Sequence, residues 1–222
     1  MVDAARALLG EIQKEPKSDE ENRLALEITR GRAPRSVLAA FAAEQQLIIT
    51  SAQRSFLTLA ARSTDRALIE FVAQLVQRKN VALDKLASLA AACGMDDTAF
   101  REYEPLAGCQ AYAGYEAWLA LNGDPHDVLL AVASNLDTWC SYCAMVTRPL
   151  RDHYGLTDDA CGFFDLFATP VPGRADRILA IIQGALDRGW APQQAHTYRR
   201  LLHDYELMFW NTLADRHIPA LQ

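Results

Sequence analysis

The sequence predicts an all-α protein, a helical bundle around a central buried helix. No segment alternates apolar and polar residues over the length of a strand, whereas apolar residues three and four positions apart recur in almost every segment. One stretch, VLLAVASNLDTWCSYCAMV, is apolar on nearly every side, as expected of a helix at the centre of a bundle. Because a chain of 222 residues can bury a sizeable core by itself, we expect residues 1–222 to form one domain.

Capping residues and prolines predict the boundaries of the first three helices. The first helix ends at Pro16, and Ser18 or Asp19 caps a second helix that stops at Gly31. Pro34 then begins a longer helix that runs to about residue 62.

The remaining helices are separated by turns that contain glycine and proline. Gly94 ends a fourth helix that begins near residue 65, and an irregular stretch follows it. After that stretch we expect two helices, at about 110–121 and 126–150, followed by a short aromatic helix around Phe163. Two more helices follow, one at about 175–188 and a last one that begins at Pro192.

Composition and charge limit the kinds of partner. The formal net charge is −6 and no run of Lys or Arg is present, which argues against binding to nucleic acid or to an anionic membrane. No uncharged stretch is long enough for a membrane-spanning helix, and no signal peptide is evident. We therefore expect a cytoplasmic protein whose partner is a small molecule.

The cysteines do not suggest disulfides or a metal site. Five cysteines, an odd number, fit a reducing compartment better than a disulfide framework. Cys140 and Cys143 form a CxxC pair within an apolar helical run rather than at a strand-to-helix turn, so we interpret them as structural. The other three lack the paired spacing of a zinc site, and we expect neither a metal nor a cofactor.

Glu206 lies on the buried side of the last helix. Leu202 precedes it by one turn and Phe209 follows it by about one turn, so the side chain is directed into the core. An ionised carboxylate there needs a partner. Either His203 is a structural partner on the same face, or Glu206 is an acid or base that faces a ligand.

Asp137 is the only charged residue in the middle of the helix expected to be central. Thr138 and Tyr142 lie one turn apart on an adjoining face. Asp137 either bonds to a neighbouring backbone group or hydroxyl, or lines a cavity together with Thr138, Tyr142 and Glu206. We favour the cavity, because polar side chains that converge in an apolar bundle are typical of small-molecule pockets.

Three more polar side chains lie at or beside core-facing positions. Gln45 falls on the apolar stripe of the helix that follows Pro34. Glu44, beside that stripe, is expected to face solvent, because Glu is rarely buried without a partner. Tyr112 either packs in the core or directs its hydroxyl into a cavity.

Several stretches match the motifs of one family. These are Asn22 to Gly31, Phe41 to Gln45, the AYxxY segment with Tyr112 and Tyr115, Leu136 to Tyr142, and, as the closest match, YELMFWNTL near the C-terminus. Over nearly its whole length the chain thus resembles the TenA family, the thiaminase-II-like proteins. The resemblance implies a haem-oxygenase-like helical bundle and a homo-oligomer, either a dimer or a tetramer.

The resemblance also implies roles for individual residues. In the TenA family a Cys on the central helix attacks the ring of an aminopyrimidine, an Asp assists, and a Glu carries the proton to the leaving amine. Glu206 matches that Glu, whereas Thr138 or Asp137 stands where the Cys would be and Gln46 where the Asp would be. The chain is therefore similar to a divergent member that lacks the catalytic Cys. Two tyrosines of the family's site are replaced here, by Ile49 and Phe167.

One hypothesis for the function retains enzyme chemistry. Metal-free hydrolysis would remove an amine from an aminopyrimidine or a thiamine-related heteroaromatic compound, with Asp137 or Glu206 activating water. Tyr112 and Tyr142 would hold the ring, and either Gln45 or Gln46 would form hydrogen bonds with its edge.

Two alternatives belong to other classes. The first is a non-catalytic protein that binds a small molecule or acts in regulation, since the nucleophile is lost. The second is a di-iron oxidase of the same fold, suggested by four core-directed residues, Glu44, Asp137, His203 and Glu206. Di-iron sites need several carboxylates and at least two histidines at helical spacing, and only His203 with Glu206 shows that spacing.

Overall fold

The computed structural model of the protein describes residues 3–14 and 20–218, and these residues form ten helices and no strand. The prediction of an all-α protein is thus confirmed. The helices are α1 (Asp3–Lys14), α2 (Arg23–Thr29), α3 (Arg35–Arg62), α4 (Arg66–Ala92), α5 (Asp97–Arg101), α6 (Ala107–Asn122), α7 (Pro125–Asp152), α8 (Asp158–Ala168), α9 (Arg174–Asp187) and α10 (Ala195–His217).

Local capping explains where several helices begin. Asp65 and Asp124 accept hydrogen bonds from the first backbone N–H groups of α4 and α7, and Pro125 occupies the first turn of α7. Asn22 caps α2 by accepting from the Ala25 N–H at 2.9 Å. The residues expected to end the first helix and cap the second, Pro16, Ser18 and Asp19, lie outside the described residues.

The turn after α2 requires glycine for two reasons. Gly31 has a φ of 68°, a conformation that other residues rarely adopt. A Cβ at this position would also lie 2.9 Å from the His153 ring, at the end of α7. The close approach of these two segments therefore depends on the missing side chain.

The stretch expected to be irregular between α4 and α6 contains the short helix α5. Asp96 caps it by accepting from the backbone N–H groups of Thr98 and Ala99 at 2.9 and 2.8 Å. No residue of α5 is buried, so the sequence carries no apolar periodicity that could have indicated it.

Helix α7 is buried along most of its circumference but exposes a narrow stripe. Asp137, Ser141, Ala144 and Arg148 are all exposed, and they follow the four- and three-residue steps of one helix face. The N-terminal part of α3, residues 37–45, has no exposed position at all. The bundle therefore packs around the first half of α3 as well as around α7.

One part of the core is built around Phe41. This fully buried ring contacts five aromatic rings, with centroid distances from 5.1 to 6.2 Å, contributed by Trp139, Phe163, Phe164, Phe209 and Trp210. Aromatic pairs of this kind add about 0.5–1.5 kcal/mol each beyond the area that they bury. Because the rings come from α3, α7, α8 and α10, the cluster fixes the relative positions of these four helices.

A second core region joins the other ends of the helices. It brings together buried residues of α1, α3, α4, α6, α7, α9 and α10, among them Leu59, Leu68, Leu129 and Leu202. Tyr112 on α6 packs against both core regions. The space beside Tyr112, between the two regions, is where the cavity described below is found.

Glu44 does not face solvent, and the expectation that it would is wrong. Its side chain is fully buried and accepts hydrogen bonds from the Tyr103 hydroxyl at 3.0 Å, the Leu106 N–H at 2.6 Å and the Gln110 side-chain amide. These three donors replace the water that the carboxylate loses. The contacts attach α3 to the loop before α6 and to the first turn of α6.

We predict that Glu44→Gln destabilises the protein by about 1–3 kcal/mol, because the new amide nitrogen cannot accept from the donors that face it. Urea unfolding followed by circular dichroism measures the change. The matched control is Glu104→Gln, at an exposed position in the same loop, for which we expect less than about 0.5 kcal/mol. Equal effects of the two substitutions would contradict the anchoring role of Glu44.

Candidate functional site

A partly enclosed cavity of about 120 Å³ lies between seven helices, α3, α4, α6, α7, α8, α9 and α10. An apolar cavity of about 150 Å³ in another protein accepts benzene, so this one has room for about one small ring. Most of its wall is apolar, and the apolar lining residues are Ile48, Ile49, Phe56, Leu75, Val132, Leu136, Trp139, Leu166, Phe167 and Phe209.

Eight polar or charged side chains complete the wall of this cavity: Gln45, Arg78, Lys79, Tyr112, Glu116, Asn135, Arg174 and Glu206. A few polar groups within an apolar wall are typical of small-molecule sites, where they orient the ligand.

Glu206 is held at the cavity wall by a neighbour on another helix. Its side chain is only 2% exposed, and its Oε2 atom accepts a hydrogen bond of 2.7 Å from Nδ2 of Asn135 on α7. The buried residues Leu202 and Phe209 lie one turn before and about one turn after Glu206 on α10. Core packing of α10 therefore directs the carboxylate toward α7 and the cavity.

Asn135 presents an acceptor to the cavity. Because a carboxylate accepts hydrogen bonds, the Asn135 atom that faces Glu206 is the NH₂ group, which also lies 3.4 Å from the Tyr112 hydroxyl. The other amide atom, Oδ1, is buried and has no hydrogen-bond partner among the described residues. A buried acceptor in this state is stabilised when a ligand supplies a donor.

Glu116 and Lys79 add charge to the wall formed by α6 and α4. Glu116 is 6% exposed, and burial raises the pKa of its carboxyl while Lys79 and Tyr112 oppose the rise. Burial lowers the pKa of the Lys79 ammonium, and the Glu116 charge partly offsets that effect. Burial also raises the pKa of the Tyr112 hydroxyl well above its ordinary value, with further contributions from the charges of Glu116 and Glu206.

Five of the residues singled out from the sequence line this cavity together: Gln45, Ile49, Tyr112, Phe167 and Glu206. Phe167 packs edge-on against Trp139, with 5.8 Å between the ring centroids. The two rings form an aromatic corner beside the polar groups of α7 and α10.

Asp137 does not line the cavity, and the expectation that it would is wrong. Its side chain is 58% exposed and contacts Arg174 at 3.3 Å and the Gln13 side-chain amide at 3.2 Å. The reason is helical geometry, since Asp137 follows Asn135 by two residues, which rotates it by about 200° around α7. The charge in the apolar run thus marks the exposed stripe of α7.

Three other expected positions also differ in the structure. Gln46 is exposed, because it lies about 100° around α3 from Gln45. Thr138 is buried outside the cavity wall. Tyr142 packs against Trp210 with a centroid distance of 5.9 Å and is likewise absent from the cavity wall. Burial raises the pKa of its hydroxyl to about 12, and the charge of Glu206 makes a smaller contribution in the same direction.

Sequence reasoning missed Asn135, Glu116 and Lys79. Glu116 is the only charged residue in α6, AGCQAYAGYEAWLALN, so the argument that drew attention to Asp137 could have found it. Asn135 precedes Trp139 by one helical turn, and an apolar stretch interrupted by an amide is a weak signal. Lys79 carries no local signal, because it lies in a charged segment of α4, QRKN.

The residues that suggested a di-iron centre do not converge. In the described part of the chain, no group of three or more His, Cys, Asp or Glu side chains is placed to hold a metal ion. Asp137 is exposed, and the carboxylate of Glu44 is surrounded by donors from the α6 region. His203 and Glu206 are both buried on α10.

Among the residues described, none of the helices combines the length and apolar character needed to cross a membrane. The five cysteines are all free, including Cys140 and Cys143 on α7.

The sequence and the fold are both similar to known proteins. The model of the TENA/THI-4/PQQC family matches residues 23–215, which is most of the chain. No curated protein matches the sequence.

Solved structures with the same fold share little sequence with this chain. A TenA family transcription regulator from Silicibacter sp. TM1040 is 16% identical over 94% of this chain and 96% of its own, with a TM-score of 0.72. A putative TenA-like thiaminase from Sulfolobus solfataricus is 14% identical over 100% and 98%, with a TM-score of 0.62. A domain from Shewanella denitrificans with a heme oxygenase-like fold is 14% identical over 96% and 88%, with a TM-score of 0.68. These likenesses confirm the haem-oxygenase-like bundle expected from the sequence.

The raised pKa of Glu116 predicts a pH dependence of stability. A carboxyl whose pKa in the folded protein exceeds its ordinary value of 4.5 binds its proton more tightly when folded, so its contribution to stability is lost as the pH rises above 4.5. We therefore expect the free energy of unfolding of the wild type, relative to that of Glu116→Gln, to fall with increasing pH from 4.5 upward.

Urea unfolding at a series of pH values measures this difference. A difference that stays constant over this range would show that burial does not perturb this carboxyl.

Proposed function

Because the chain belongs to the TENA/THI-4/PQQC family, we propose that its cavity binds a small heteroaromatic amine. One observation carries the proposal. The carboxylate of Glu206 and the Oδ1 atom of Asn135 are buried hydrogen-bond acceptors at the wall of a cavity with room for about one ring.

The acceptors select the polar part of the ligand. An amino group on an aromatic ring carries two N–H donors, which match the two acceptors that Asn135 and Glu206 offer. A ligand acceptor in the same place would leave Oδ1 of Asn135 without a donor and would be repelled by the Glu206 carboxylate. The amine is therefore the end of the ligand that faces α7 and α10.

The apolar walls of the cavity select the apolar part of the ligand. Trp139, Phe167 and Phe209 offer aromatic surfaces to a flat ring, and such contacts are favourable in offset or edge-on arrangements. Gln45, which is 5% exposed, adds an amide that can both donate to and accept from the edge of a ring that contains nitrogen.

The position of Asn135 favours binding over thiol chemistry. In the motif that the chain resembles, the nucleophilic Cys precedes an aromatic residue by four positions, and Asn135 precedes Trp139 by four. An amide is not a nucleophile, and the nearby Cys140 is not part of the cavity wall. The resemblance places the assisting Asp at Gln46, which is exposed, whereas the neighbouring Gln45 lines the cavity. In our proposal the carboxamides of Asn135 and Gln45 take the places of the thiol and the carboxyl.

Hydrolysis by carboxylate-activated water is the second candidate, because Glu206 remains at the cavity wall. Glu206 would take a proton from water as it attacks the ring carbon that bears the amine, and would return the proton to the leaving amine. This route needs neither the thiol nor Asp137.

A cytoplasmic location, one domain over residues 1–222 and a homo-oligomeric state remain our predictions from the sequence and the family resemblance.

We predict that 4-amino-2-methylpyrimidine binds to the wild-type protein and that Glu206→Gln weakens the binding about tenfold to a hundredfold. A hydrogen bond to a charged group contributes about 1.5–3 kcal/mol, which corresponds to this range in Kd. Isothermal titration calorimetry measures Kd, and the thermal midpoint of each free variant shows that it is folded. The matched control is Asp204→Asn, on the same helix with an exposed side chain, which should bind as the wild type does. Absence of binding to the wild type, or equal binding to both variants, would refute the proposed site.

Mass spectrometry after prolonged incubation separates the two candidates. Release of the hydroxypyrimidine by the wild type, but not by Glu206→Gln, would establish hydrolysis and overturn the non-catalytic function. Recovery of unchanged ligand would support binding alone.

A further inference from the structure

Two charged groups in the cavity wall have no role in holding the amine. Oε2 of Glu116 is buried and has no hydrogen-bond partner among the described residues. The Lys79 ammonium, on α4, makes neither a hydrogen bond nor an ion pair within that part of the chain, and lies 4.8 Å from the centroid of the Phe56 ring. Both residues line the same cavity as Glu206.

Glu116 and Lys79 influence each other without direct contact. Both side chains line the same cavity, and each charge offsets part of the effect of burial on the pKa of the other. They do not form a direct ion pair. Oε2 of the buried Glu116 has no donor and the half-buried Lys79 ammonium has no acceptor among the described residues, so a group placed between the two would satisfy both.

The signs of the two charges restrict what that group can be. A ligand carboxylate would be attracted by Lys79 but repelled by Glu116. A ligand ammonium would be attracted by Glu116 but repelled by Lys79. A neutral group with one acceptor and one donor suits both residues, because its oxygen accepts from Lys79 and its N–H donates to Glu116. A primary carboxamide has this arrangement.

The position of Tyr112 relates this second pair to the amine site. Its hydroxyl lies 3.4 Å from Nδ2 of Asn135, and the same side chain interacts with Glu116. The two polar regions are therefore neighbours on one side of the cavity, with Phe56 and Leu75 beside Lys79 in the wall. Substituents on adjacent ring atoms fit this spacing better than substituents on opposite sides of a ring.

We infer that Lys79 and Glu116 form a second subsite that recognises a carboxamide next to the amine of the bound ring. The inference rests on the proposed function, and it narrows the ligand class to heteroaromatic amines with a neighbouring carboxamide.

The test compares two probes that differ only in this group, 4-aminopyrimidine and 4-aminopyrimidine-5-carboxamide. In the wild type, calorimetry should give a Kd for the carboxamide probe that is lower by about tenfold or more, because its new hydrogen bonds involve charged partners. Lys79→Met should reduce the ratio of the two Kd values to about one. The matched control is Lys85→Met on the same helix, whose lysine is partly exposed and lies outside the cavity wall, and it should keep the wild-type ratio.

A second variant keeps the test decisive if Lys79→Met does not fold. Glu116→Gln preserves the shape of the side chain, and it should also reduce the ratio, because the amide loses the charge that strengthens the contact. If both probes bind to the wild type with equal Kd values, the second subsite is refuted while the amine site stands. If neither probe binds, the proposed function fails, and the second subsite fails with it.

Discussion

The geometry of the cavity depends on the hydrogen bond between Asn135 and Glu206. A carboxylate that is 2% exposed has lost its hydration, and the NH₂ group of Asn135 at 2.7 Å replaces part of it. Because the same NH₂ group lies near the Tyr112 hydroxyl, one amide joins three helices, α6, α7 and α10. The amide oxygen has no hydrogen-bond partner among the described residues, so the contact that stabilises the fold also leaves a buried acceptor on a residue of the cavity wall.

The three buried carboxylates of the α6 region illustrate how structural and ligand-facing acids differ. Glu44 is surrounded by donors from the protein itself and serves to anchor the start of α6. Glu206 has a donor from the protein at one oxygen and also borders the cavity, and Glu116 borders it with an oxygen that no described residue contacts. The number of protein donors around each acid, rather than its burial, separates an anchor from a binding group.

The helices and much of the cavity wall could be predicted from the sequence, because apolar periodicity and capping residues are local signals. Glu206 and Gln45 were found in this way, as polar residues on apolar stripes. The errors came from information that is not local. Asp137 and Asn135 differ by two positions on one helix, and only packing against α10 decides which of them turns inward. Glu44 was misjudged because its donors come from a loop about 60 residues away in the chain, which periodicity cannot reveal.

The absence of a thiol from the cavity wall affects how the proposed site would respond to its surroundings. A site built on a thiolate is inactivated when that sulfur is oxidised or alkylated. None of the five cysteines of this chain belongs to the cavity wall, and Cys143, the one nearest to the core of α7, is fully buried. Oxidation or alkylation of the cysteines would therefore leave the side chains of the cavity wall unmodified, and binding at the proposed site would not depend on a thiol.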